Sequence, residues 1–164
     1  MRALLDTNVV VDVLQSREPW YEDGQTIFRA VANKQITGCI TAKEVADLYY
    51  FTRRLFRGQE DVNAKSRQVI IKLLTLFELL DTQAIDCKKA LSSNCPDFED
   101  AIMIETAART EVDCIVTRNL EDYKGSSVPA YSPSTFVKMF FPTLRQNDER
   151  RIRARPVLHS SVVQ

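Results

Sequence analysis

The sequence predicts an α/β domain, a parallel sheet of about five strands with helices on both faces. Two observations carry this. Short apolar runs of strand length alternate along the chain with longer stretches of helical periodicity, the pattern of strands joined by crossover helices. The chain has 164 residues, of which 45% are hydrophobic and 27% charged, enough for one domain with a real core and too apolar for wholesale disorder.

The elements follow in order. Arg2–Leu5 is a short strand that ends at Asp6. Asn8–Leu14 is a Val-rich helix kept short by Pro19 ahead of it, and Tyr21–Asn33 carries Ile27, Phe28 and Val31 at helical spacing. Ile36–Ile40 is the second strand. Thr41–Leu55 is a helix opened by the capping-box pattern Thr41-x-x-Glu44, and a turn at Gly58 and Asp61 leads to an amphipathic helix over Val62–Phe77 with Val62, Val69, Ile70, Leu73, Leu74 and Phe77 on one stripe. Such a stripe serves either the core or a dimer interface. Glu78–Leu80 is the third strand, Ala84–Ser92 a helix, and Phe98–Thr110 a helix introduced by Pro96. Asp113–Val116 and Val128–Tyr131 are strands four and five. Ser132 as N-cap with Pro133 at the first helical position opens a last helix to about Phe141.

Charge and cysteine usage narrow the function classes. Lys plus Arg and Asp plus Glu each number 22, so the net charge is zero and a dedicated, uniformly basic nucleic-acid binder is disfavoured, while an enzyme acting on nucleic acid through a local patch is not. A single His excludes a multi-His metal site. His159 lies in a polar C-terminal stretch and is not read as a general base. Cys39, Cys87, Cys95 and Cys114 contain no C-x-x-C pair, so they read as free thiols of a cytoplasmic protein, with Cys39 and Cys114 in strand-like apolar runs. An acid at position 6 interrupts any secretory apolar run, and no stretch approaches the ~18 apolar residues of a membrane helix.

In parallel sheets the ligand site lies beyond the carboxyl ends of the strands. Acidic and amide groups recur there: Asp6-Thr7-Asn8 after strand one, Glu44 after strand two, Asp97 and Asp100 at the helix after Pro96, and Thr117-Arg118-Asn119 with Asp122 after strand four. Each has a structural excuse. Asp6 and Asp97 suit N-caps, Glu44 a capping box, Asp100 the helix dipole, and Asn119 a turn. Together they are harder to excuse. Two like charges about 4 Å apart cost roughly 4 kcal/mol at an effective dielectric near 20, a large share of the roughly 5–15 kcal/mol that stabilises a domain. A divalent cation removes that cost, and hard oxygen donors suit Mg²⁺ or Mn²⁺ rather than zinc.

Three blocks, R-A-L-L-D-T-N-V-V-V-D-V-L, D-F-E-D-A-I-M-I-E-T-A and D-C-I-V-T-R-N-L-E-D-Y, together with a Glu after the second strand, resemble the PIN-domain family over about residues 2–139. They are most similar to small stand-alone bacterial members, which include toxins of the VapC type. The resemblance implies a three-layer sandwich and a metal-dependent (Mg²⁺ or Mn²⁺) endoribonuclease that leaves a 3′-hydroxyl and a 5′-phosphate. It also implies an RNA substrate, frequent homodimers and, for the toxin branch, an antitoxin partner. Asp6, Glu44 and Asp100 match the family's first three acids. The fourth position falls on Asn119 where many members carry Asp. That departure weakens a second metal site, to which Asp122 or Asp97 is the alternative contributor. Thr7 and Thr117 match small hydroxyl positions beside the site, as substrate contacts or as ties for the strand ends, and Arg118 is the candidate phosphate contact.

Arg53, Arg54 and Arg57, then Lys65, Arg67 and Lys72, lie near Tyr49, Tyr50 and Phe51. They read either as a phosphate-and-stacking surface or as a solvated helix face over core aromatics. The expected organisation is a domain over 1–142 and a basic, flexible tail over 143–164, in which five Arg face Asp148 and Glu149. An RNA-binding arm and a solubilising tail both fit that composition. Two other readings stay open. A PIN-like RNA- or protein-binding module with little turnover draws on Asn119. A receiver-like domain is the weakest, because Lys124 is misplaced for it.

Overall fold

The computed structural model describes residues 1–142; the tail 143–164, with His159, lies outside the described residues. Twelve elements run in the order β1 (Arg2–Leu5), α1 (Thr7–Leu14), α2 (Tyr21–Ala32), β2 (Thr37–Thr41), α3 (Ala42–Leu55), α4 (Val62–Leu76), β3 (Glu78–Leu80), α5 (Ala84–Ala90), α6 (Phe98–Arg109), β4 (Cys114–Val116), β5 (Ala130–Tyr131) and α7 (Pro133–Phe140). The five strands form one sheet in the order β3-β2-β1-β4-β5, and every pairing is parallel. The order reverses between β1 and β4, so the switch point lies where Leu5 pairs with Val116.

β1 sits mid-sheet, and its alternate residues feed two cores, as a two-residue side-chain period requires. Ala3 and Leu5 join Ile40, Cys114 and Val116 under α1, α2, α3, α4 and α7, with Val10, Ile27, Leu48 and Phe136 fully buried. Leu4 joins Cys39 and Ile115 on the opposite face, under Met103 and Ala107 of α6 and under Tyr123 and Val128. The expected sandwich with helices on both faces is therefore what forms. All four cysteines are free thiols, with Cys39 and Cys114 buried.

The boundaries differ from the sequence reading at a few informative places. α1 begins at Thr7 because Asp6 is its N-cap, its side chain accepting the Asn8 N–H. β5 is shorter than Val128–Tyr131: Pro129 has no N–H to donate, although its carbonyl accepts from Ile115 N at 2.9 Å. The stripe on α4 is less buried than its spacing suggests. Leu73 and Phe77 are in the core, but Leu74 is exposed and Val62, Val69 and Ile70 are only half-covered. Gly38 on β2 is a position of close approach, since a Cβ there would stand 2.6 Å from the Val31 side chain and 2.7 Å from Phe77. Among the described residues no helix is long and apolar enough to cross a membrane.

On the α6 side, the buried Asp86 closes the capping box of α5 and also ties α5 to α6. Its carboxylate accepts from the Gln83 N–H at 2.8 Å and from the Thr106 hydroxyl at 3.2 Å. It also receives a two-pronged hydrogen bond from Arg109, with both contacts at 2.8 Å. The Arg109 guanidinium is the main reason the Asp86 carboxyl is held below its ordinary range. Asp86→Ala leaves Arg109 with only the Asp81 carbonyl and charge, and leaves the Gln83 N–H and Thr106 hydroxyl without their acceptor, so it is expected to cost about 3 kcal/mol in urea unfolding at pH 7. The sign with pH follows. A depressed carboxyl stabilises the fold above its unfolded value of 3.8 and loses that contribution as acid titrates the folded state. The gap between wild type and Asp86→Ala should therefore narrow once the pH falls below 3.8.

Candidate active site

Asp6 leaves the carboxyl end of β1 at the switch point and is almost fully buried. Its charge is surrounded by donors. The Thr117 hydroxyl, at the end of β4, donates to Oδ2 at 2.6 Å. The Asn8 side-chain amide donates to the same oxygen, and the Asn8 N–H donates to Oδ1 at 3.2 Å. Burial nonetheless pushes the Asp6 carboxyl above its ordinary range, partly offset first by Thr117 and then by Asn8 and Arg118.

Asp100 arrives from the first turn of α6. Its backbone N–H and that of Glu99 donate to Asp97, the helix N-cap, at 3.1 and 2.8 Å. The side chain of Asp100 is aimed by two donors, the Tyr123 hydroxyl at 3.0 Å and the Asn119 amide at 3.4 Å. Burial first, and the charge of Asp6 second, push the Asp100 carboxyl up to about 6. Tyr123 is itself pushed well above the ordinary phenol range, chiefly by burial, so its hydroxyl remains a donor.

Asp6 and Asp100 line one cavity of about 240 Å³, with Thr7, Lys43, Asp47, Tyr50, Phe51, Glu99 and Met103. Two of the acids expected at the rim thus meet. Glu44 is fully buried behind them, with Oε2 accepting the Thr41 N–H at 2.7 Å and Oε1 accepting the Thr7 hydroxyl at 3.2 Å. The capping box is complete in both directions. Burial, and further down the nearby Asp6 charge, push the Glu44 carboxyl up to about 8.

Asn119 and Asp122 lie beside Asp100 rather than in the cavity lining. The Asn119 amide donates both to Asp100 and to Asp122, so it bridges the two carboxylates. Asp97 spends its side chain on the α6 N-terminus. Arg118 is turned toward Asp12, a fully buried residue, whose Oδ2 lies 3.1 Å from Nε. The Arg118 guanidinium also stacks 4.2 Å from the centre of the Trp20 ring, and its backbone N–H donates to the Asn8 side chain.

Sequence reasoning missed several participants. Lys43 stands at the cavity rim and pairs with Asp47 at 2.9 Å and Glu99 at 2.7 Å. The available signal was its i,i+4 spacing to Asp47 and its place in the first turn after strand two. Asn8 was read only as an amide at the strand end, without a role, and Tyr123 was signalled only by its nearness in sequence to Asp122. Asp12 gave no signal, because an acid in a Val-rich helix reads as a solvent-facing position.

The donor chemistry fits a hard cation. The cavity offers carboxylate oxygen, with no thiol or imidazole lining it. Among the described residues no three His, Cys, Asp or Glu side chains are gathered closely enough to enclose an ion on their own. Two carboxylates completed by water are an ordinary magnesium arrangement, whereas zinc asks for a closed set of three or four protein ligands.

Residues 2–121 match the family profile described as the PIN domain. No curated protein matches the chain. Among solved structures, FitAcB from Neisseria gonorrhoeae aligns with a TM-score of 0.63 at 20% identity, covering 80% of this chain and 97% of that one. A toxin-antitoxin complex from Klebsiella pneumoniae aligns with a TM-score of 0.58 at 16% identity, covering 80% and 97%. VapBC2 from Rickettsia felis, bound to a DNA fragment from its promoter, aligns with a TM-score of 0.55 at 16% identity, covering 80% and 98%. At such identities the structures share the fold. The profile, which spans well over half of the sequence, places the chain in the PIN-domain family.

Proposed function

We propose that this PIN-domain protein is a metal-dependent endoribonuclease that hydrolyses RNA phosphodiesters, and that it is the toxin of a toxin–antitoxin pair. The observation that carries the reading is the convergence of Asp6 and Asp100, 94 residues apart in sequence (100 − 6), in one half-enclosed cavity at the switch point. The fold it shares with a toxin–antitoxin complex from Klebsiella pneumoniae supports an antitoxin partner. Homodimerisation and a cytoplasmic location belong to the same proposal.

In this reading Asp6 and Asp100 would hold Mg²⁺ or Mn²⁺, with Glu44 behind them reaching it directly or through water. Such an ion would supply Lewis acidity, easing deprotonation of a water and offsetting charge on the phosphoryl group, for a hydrolysis in which water oxygen adds to phosphorus and the 3′-oxygen leaves as the hydroxyl, the phosphate staying on the 5′ side. The chain's own residues do the positioning. Thr117 and Asn8 fix the rotamer of Asp6, and Tyr123 and Asn119 fix that of Asp100. Lys43, paired with Asp47 and Glu99, offsets part of the acidic charge at the cavity rim. Thr7 links the cavity to Glu44. Arg118 contributes positive potential to Asp6 from behind. Asp122 and Asp97 are the reserve acids for a second ion.

A second reading, a catalytically weak module that binds RNA or protein, is favoured by two details: Glu44 is engaged in capping, and Asn119 puts an amide where an acid would strengthen a second site.

Four outcomes test these assignments. Mg²⁺ or Mn²⁺ should raise the melting temperature of the wild type and not of Asp6→Asn. Cleavage of single-stranded RNA should stop in EDTA and fall by more than about 100-fold in Asp6→Asn, since even outer partners of metal ligands cost 10–100-fold; cation-independent melting would favour the binding module. Glu44→Gln keeps an N3 side chain able to cap, so its melting temperature should stay near wild type while activity falls; unchanged activity would leave Glu44 a cap only. Arg118→Ala removes the nearer of the two cations on the buried Asp12, leaving Arg17 at 3.9 Å, and should cost about 3 kcal/mol by denaturant unfolding, which a purely surface phosphate contact would not.

A further inference from the structure

A second and larger concavity, of about 1110 Å³, lies between the end of α3 and the start of α4. Arg53, Arg54 and Arg57 line it from the α3 side and Arg67 from α4, and Asp61 is the one carboxylate among its lining residues. All four arginines are exposed. Elsewhere the described arginines are engaged: Arg2 with Glu78, Arg17 and Arg118 with Asp12, and Arg109 with Asp86. Among the described residues, by contrast, the four in the cleft make no side-chain hydrogen bond or ion pair, and none is among the residues with a further partner. Unneutralised guanidiniums gathered in a concavity focus positive potential, which a chain of zero net charge has concentrated here.

The cleft and the acidic cavity share a wall. Tyr50 lines both and is 60% exposed, so an aromatic face stands at the junction between four arginines and two catalytic acids. A polyanion approaching the acids is repelled by them, and a cationic track beside them offsets that repulsion. Base stacking on an aromatic ring adds attraction that tolerates any sequence. An acidic peptide would satisfy the arginines but has no use for the ring at the junction.

We propose that the α3–α4 cleft binds the phosphate backbone of single-stranded RNA flanking the scissile bond, with Tyr50 stacking a base where the strand passes into the acid cavity. The assignment rests on the ribonuclease reading for its substrate class. Arg53, Arg54, Arg57 and Arg67 act as phosphate contacts that hold the strand without selecting its sequence.

The test is fluorescence anisotropy of a short mixed-sequence single-stranded RNA in EDTA, where nothing is cut, over a salt series. The triple variant Arg54→Ala, Arg57→Ala, Arg67→Ala should weaken binding by at least about tenfold and flatten the salt dependence by roughly 0.7 logarithmic units per arginine removed. The corresponding triple Lys variant should keep most of the salt dependence. Tyr50→Ala should bind about tenfold more weakly, with Tyr50→Phe near wild type. Circular dichroism melts of every variant separate lost binding from lost folding, and the conservative variants keep the proposal open to refutation if an Ala variant unfolds. If the wild type cuts no RNA while the triple Ala variant loses RNA binding, the track stands and the enzymatic reading falls. Binding and salt dependence unchanged in the folded triple Ala variant would overturn the track even if the wild type cuts RNA. A labelled poly-glutamate peptide that binds the wild type more tightly than RNA at the same salt would also overturn it, in favour of an acidic protein partner.

Discussion

A buried negative charge at the sheet's switch point is the constraint around which the rest of the molecule is arranged. Asp6 stands at the end of the central strand, out of water, and an ionised carboxylate there is tolerated only if its oxygens are met by donors. Thr117 comes from the neighbouring strand and Asn8 from the helix that Asp6 itself caps. The ends of β1 and β4 are thereby joined by hydrogen bonds from side chains as well as by the ladder. Beside this layer, the buried Asp12 pairs with the partly exposed Arg118, whose guanidinium stacks on Trp20. The two layers make one electrostatic unit, since Arg118 favours the ionised form of both acids.

Much of this was legible in the residues. The alternation of Ala3-Leu4-Leu5 with flanking helices was enough to place β1 within a doubly covered sheet, and Asp6 and Asp100 were legible because they follow features that a strand end and a Pro-led helix make visible. Capping logic was equally readable: Thr41 with Glu44 and Asp97 with Glu99 behave as their spacing says. Less legible was which of two compatible roles a side chain adopts. Arg118 lies beside the acids in sequence, yet its partner is Asp12, an acid from a helix turn later in space, and tertiary pairing of that kind leaves no local periodicity to read. The α4 stripe shows the opposite error. Its spacing is helical, but spacing does not reveal how much of the stripe a neighbouring layer reaches, and Leu74 remains in water.

Zero net charge also proved a poor guide to local potential. The acids gather at the carboxyl rim of the sheet, where Lys43 is itself balanced by Asp47 and Glu99. The unbalanced arginines gather between α3 and α4. Summed over the chain the two populations cancel, while in space they lie on either side of Tyr50. A protein whose partner is a polyanion thus has no need of a basic isoelectric point, provided that its two kinds of charge are kept apart.

The strand order has a consequence for how the molecule is made. The hydrogen bond from Thr117 to Asp6 spans 111 residues, and β1 acquires its neighbour on that side only when β4 is in place. Contacts of such long sequence separation form late and slowly, because loop closure must be met before they reward it. Until the segment carrying Thr117 has emerged and docked, Asp6 lacks its hydroxyl donor, and its own N–H lacks the Val116 carbonyl. Assembly of the acidic centre is therefore coupled to completion of the sheet.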